Sequence, residues 1–106
     1  MKLVWSPLAI ERISEIAIYI AHDNLSAAQK WVEDMFERVG QLEQFPDSGR
    51  HLPEYPTRDD LREIIHMRHR IIYRIRSAGV DILTIRHGRQ ILPPEEVEQT
   101  AAHSPC

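Results

Sequence analysis

From Leu61 to Arg89 the chain reads LREIIHMRHRIIYRIRSAGVDILTIRHGR, and this stretch limits the possible folds more than any other. Apolar and arginine residues mix in three short runs, the pattern of strands rather than of a helix. Met67-Arg68-His69 is the expected turn before a strand from Arg70 to Arg76. Ser77-Ala78-Gly79 is the expected turn before a strand from Val80 to His87, with glycine supplying a positive φ. Seven arginines and three histidines lie in the stretch against two acids, Glu63 and Asp81. Met1 to Ser48 carries four basic and eight acidic side chains, so the net charge of -3 covers a basic sheet joined to an acidic helical half. A basic sheet predicts an anionic partner, either nucleic acid or an acidic protein segment.

What precedes the strands has a different period. Lys2 to Trp5 is a short candidate strand. Ser6-Pro7 then reads as a helix start, because serine caps free N–H groups and proline at the first helical position gives up nothing. Ala9, Ile13, Ile16, Ala17 and Ile20 follow on one helical face. Asp23 or Asn24 is placed to cap a second helix, from about Leu25 to Gln44, with Ala28, Trp31, Val32, Met35, Val39 and Leu42 as its stripe. The short break between the two predicts an antiparallel helical hairpin. Phe45 to Arg50 stops the second helix, with Gly49 permitting a sharp turn, and His51 to Asp60 reads as an irregular loop. The expected fold class is α+β: an N-terminal strand, a helical hairpin, then a three-stranded antiparallel meander in a mostly antiparallel sheet. A chain of 106 residues makes one domain. Residues 1–92 form it in this reading, and 93–106 are a tail, either a short helix or disordered.

Several classes of function are disfavoured. No apolar run approaches a membrane span, and the N-terminus lacks a signal peptide's apolar segment, so a cytoplasmic location is expected. The single cysteine is Cys106, which leaves no internal disulfide. The histidines show no metal-ligand spacing, and neither a metal nor another cofactor is expected.

Alternation puts Ile71, Tyr73 and Ile75 on one face of the middle strand, toward the helices, and Arg70, Ile72, Arg74 and Arg76 on the other. It also pairs Ile82 with Thr84 and Leu83 with Ile85, which fits a central strand or one whose outer face a partner covers. Each arginine alone reads as solvated, its stem lying over apolar groups. The row together favours a binding surface. Glu63, Arg74 and His87, one on each strand, could converge as base, phosphate clamp and acid for RNA cleavage through the 2′-hydroxyl. The plainer reading pairs Glu63 with an arginine and leaves His87 as a strand-end histidine. Tyr73, Trp5 and Trp31 read as core.

Asp23-Asn24 with Ala27-Ala28, Phe45-Pro46 with Gly49-Arg50, Leu61-Arg62-Glu63-Ile64, Tyr73-Arg74-Ile75 and His87-Gly88-Arg89 occur in an order and spacing that resembles the RelE/ParE superfamily of toxins, ParE-like branch. The resemblance spans roughly Leu3 to Arg89. It implies the fold given above and a toxin of a type II toxin–antitoxin module, neutralised by a cognate antitoxin whose disordered segment folds on it. Toxin and antitoxin together bind operator DNA, so this chain is expected to meet DNA only through that complex. ParE-like members poison DNA gyrase, and no catalysis of its own is expected of this chain. RelE-like members cut messenger RNA on the ribosome, and in that alternative Glu63, Arg74 and His87 do the acid–base work. Arg62, Arg70, Arg74, Arg76, Arg86, His87 and Arg89, with Ile10 and Ile18 off the core stripe of the first helix, are the expected target- or antitoxin-binding residues.

Overall fold

The computed structural model describes residues 1–88 and 90–102, with the backbone alone for 99–102. Strand β1 (Lys2–Trp5) leads into helix α1 (Pro7–Asp23). Ser6 caps α1 by accepting from the Ala9 N–H at 3.0 Å, and its hydroxyl donates onward to the Leu83 carbonyl at 2.7 Å. One side chain thus starts the helix and ties it to the sheet. Asn24, rather than Asp23, caps helix α2 (Leu25–Gly40), accepting from the Ala27 N–H at 3.0 Å. The helix ends four residues earlier than its periodicity suggests, passing into short 3-10 turns at Gln41–Glu43 and Pro46–Ser48.

The sheet has five strands rather than four: β1, β2 (Arg50–His51), β3 (Leu61–His66), β4 (His69–Ile75) and β5 (Gly79–His87), in the order β1-β5-β4-β3-β2. β1 runs parallel to β5 and the other pairings are antiparallel. Gly49 and Gly79 do not take the positive φ that turns would need. Each is instead a place of close approach: a Cβ at Gly79 would meet the Lys2 carbonyl oxygen at 2.5 Å, and one at Gly49 would meet the Tyr73 hydroxyl at 2.5 Å. The positive φ falls on Met67, at 56°. Met67-Arg68 is a two-residue loop between the paired His66 and His69, and its first position is where a type II′ turn takes glycine. A methionine there stores about 1–2 kcal/mol of backbone strain.

A bulge opposite Ile72/Tyr73 corrects the expected faces of β5. Leu83 is the extra residue, so Ile82 and Ile85 both face the helices, while Leu83 and Thr84 turn outward. The main core lies between sheet and hairpin, with Met35, Val39, Leu42, Ile71, Tyr73 and Ile82 at its centre and Trp31 at one end. A second core covers the opposite face: Leu52, Leu61, Ile72, Leu83, Leu92 and Val97 pack together, with Tyr55 against them. It is built by the loop before β3 and by helix α3 (Pro94–Ala102). The cover over the outer face of β5 is therefore supplied by this chain itself. Among the described residues no helix is long and apolar enough to cross a membrane, and no group of His, Cys, Asp or Glu is set to hold a metal ion.

Candidate functional site

The arginines of the meander do not form a bare cationic row, because carboxylates from elsewhere in the chain have come to them. Arg70 is buried under the loop; its Nη atoms donate to both oxygens of Glu54 at 2.8 and 2.9 Å, and its Nε to Glu63 at 2.5 Å. This contact holds the Glu54 carboxyl below the usual carboxylate range. Arg76 donates to Asp81 at 2.7 Å, and Arg74 lies 3.7 Å from the same carboxylate. Arg86 pairs with Glu96 of α3, which also accepts from the Thr84 hydroxyl at 2.7 Å and from Arg12 of α1 at 3.1 Å. Arg62 is on the other face of β3, bonded to Asp59 and to the carbonyls of Asp47 and Gly49. Arg89 lies outside the described residues.

Glu63 and His87 are not brought together. Glu63 is 1% exposed, with its two oxygens on Arg50 and Arg70 under the outer cover. His87 pairs with His69, and their rings are 5.6 Å apart on the helix side of the sheet. Trp31 stands over His69 at 5.4 Å and over His66 at 6.3 Å. Burial pushes the imidazoles of His66 and His69 below their ordinary pKa. They are thereby held neutral near pH 7, as packing pieces behind the β3–β4 turn.

Two surfaces stand out among the described residues. The first is an apolar groove of about 600 Å³ on the outer side of the helical hairpin, lined by Ala17, Ile18, Ala21, Leu25, Ala28, Gln29, Val32 and Glu33. Ile18 is 62% exposed at its edge. Ile10 is also exposed, on the line of Ala17 and Ala21 by helical spacing. Ala17 and Ala21, one turn apart on α1, and Leu25 and Ala28 at the start of α2 were the sequence signal for this groove, and reading each helix for its core stripe alone passed over Ala21 and Leu25. The second is the tip of the β3–β4 hairpin. Met67 is 67% exposed, and Arg68 beside it has no carboxylate within 4 Å among the described residues. The sequence marks these two only as part of a turn, because the backbone strain exists only in the folded chain.

Comparison with known proteins fits this architecture. Residues 3–92 match the family model described as ParE toxin of type II toxin-antitoxin system, parDE. The chain is 36% identical over 93 residues to "Putative toxin Y4kP" of Sinorhizobium fredii (strain NBRC 101917 / NGR234), covering 87% of this chain and 93% of that one. A solved structure titled "Chromosomal ParDE TA system from P. aeruginosa" superposes with a TM-score of 0.68 at 23% identity, over 82% of this chain and 95% of that one, and so shares its fold. With a hairpin laid on a five-stranded sheet and a family match over most of its length, the chain belongs to the ParE toxin family of type II toxin–antitoxin systems, a membership that implies a cognate antitoxin.

Proposed function

We propose that this protein is a cytoplasmic toxin that inhibits DNA gyrase by binding it, without catalysis of its own. It is silenced by an antitoxin segment lying in the groove of the helical hairpin. The observation that carries the non-catalytic part is the state of Glu63. A general base must reach the proton it removes, and this carboxylate is buried with both oxygens on arginines, while His87 stands on the opposite face of the sheet. The antitoxin part rests on the groove. An amphipathic helix or extended segment with two or three apolar anchors suits a trough of alanines edged by Ile18 and Leu25. Operator DNA would then be met through the antitoxin complex, since Arg62, Arg70, Arg74, Arg76 and Arg86 already have carboxylates within 4 Å.

The test adds antitoxin-free protein to gyrase and plasmid, reading supercoiling and trapped double-strand breaks on one gel. Inhibition with accumulated breaks is expected, relieved by antitoxin. In the Ile18→Asp variant, relief should need at least tenfold more antitoxin, since a charge placed at an apolar anchor is a large loss at an interface. No effect on gyrase, together with new messenger RNA ends after induction in cells, would establish the endoribonuclease reading instead.

A further inference from the structure

We infer that the tip of the β3–β4 hairpin, Met67-Arg68, is the knob by which this toxin grips its protein target. The inference rests on the toxin reading above but not on which protein is attacked. Met67 holds a φ of 56° in a loop position that glycine would fill without strain, and it turns its side chain to solvent. Two thirds of its surface is open to solvent. Arg68 differs from Arg62, Arg70, Arg74, Arg76 and Arg86 in having no carboxylate within 4 Å among the described residues. Ile65, on the same hairpin, and Ile91, in the segment after β5, are also exposed.

The knob is held firmly. The Gly88 N–H donates to the Arg68 carbonyl at 2.7 Å, fixing the tip to the end of β5. Behind it, His66 and His69 pack on Trp31. An exposed methionine beside an arginine that has no carboxylate within 4 Å among the described residues has the composition of an interface anchor, and the backbone bond to Gly88 reduces the entropy the turn loses on docking. The complementary surface is an apolar pocket on a protein, rimmed by a carboxylate for Arg68. A nucleic acid fits less well. Phosphate binding draws its strength from several cations at once, and the neighbouring arginines are internally paired. None of the residues lining the hairpin groove belongs to this turn, so target and antitoxin would engage different parts of the toxin.

The test uses the full chain with Met67→Gly and Arg68→Glu, each measured by thermal melting, by co-purification with the co-expressed cognate antitoxin, and by growth arrest on induction alone. Met67→Gly should melt at the same or a higher temperature, because glycine accepts the positive φ. It should still co-purify with antitoxin and should weaken arrest at least tenfold. Arg68→Glu should abolish arrest with the fold and antitoxin binding intact. Full arrest by both variants overturns the inference, as does loss of antitoxin binding by either. Arrest lost in Arg68→Glu but kept in Met67→Gly would indicate a phosphate partner and also overturns it. If the wild-type chain arrests growth yet leaves purified gyrase untouched, the gyrase reading fails while the knob is still judged by the arrest data. A wild-type chain that does not arrest growth removes both.

Discussion

Glu63 accepts from Arg70 on one carboxylate oxygen and from Arg50 on the other, and it has almost no contact with water. Removing its charge weakens the acceptor of the buried Arg70 Nε, although Glu54 still holds both Nη groups. Glu63→Gln should therefore lower unfolding stability by about 1–3 kcal/mol, seen as a lower urea midpoint at unchanged slope. Loss of toxicity in that variant reports folding before it reports any chemistry. Tyr73 is a similar case: its hydroxyl donates to the Pro46 carbonyl at 2.7 Å and accepts from the Gly49 N–H at 2.9 Å, holding β2 against the sheet. Tyr73→Phe should cost about 1–3 kcal/mol, the usual penalty for buried polar groups left unpaired. At this scale the sequence was informative about what is buried. Tyr73 and Trp31 are core, and pairing Glu63 with an arginine was the plainer of its two readings. It was silent about partners, since Glu54, Asp59 and Glu96 reach their arginines only because the chain folds back.

Helix α3 behaves as a clamp. Glu96 joins Arg12 of α1, Arg86 and Thr84 of β5, while Val97 and Leu92 cover Leu83 and Ile72. Glu96→Ala leaves the buried Thr84 hydroxyl and two arginines without their shared acceptor. It should destabilise by about 2 kcal/mol, and hydrogen exchange should show α3 opening before the rest of the molecule. From sequence, the helical hairpin was legible because its apolar stripes are long and its caps, Ser6 and Asn24, are chemically distinct. β2 was not, being two residues after a run rich in turn formers. The bulge in β5 was not either, since Leu83, Thr84 and Ile85 are all good strand residues and only the packing decides which one is extra.

Over the whole molecule, charge is arranged as local neutralisation rather than as two opposed halves. The basic meander is matched by acids from the loop before β3 and from α3, which counting charges along the chain could not reveal. Burial sets two histidines, His66 and His69, apart from this pattern. His66 and His69 bind protons less readily in the folded state than the ordinary 6.5 of an unfolded chain. The unfolded chain therefore takes up protons first as pH falls, and folding weakens. The melting temperature should be level above about pH 7, fall as the pH drops below about 6.5, and fall again in the carboxylate range, where Glu54 and Asp60 are held below their usual values by Arg70 and Arg58. His69→Phe should flatten the first fall and leave the second. The parallel pairing of β1 with β5 has a further effect. Lys2 lies beside Gly79 and Trp5 beside Ile82, so β1 must wait for β5 before the sheet can close. Translation that stops early leaves the helices without their floor. The fold therefore depends on a contact between residues nearly eighty positions apart, a non-local pairing of the kind that slows folding and leaves apolar faces uncovered until it forms.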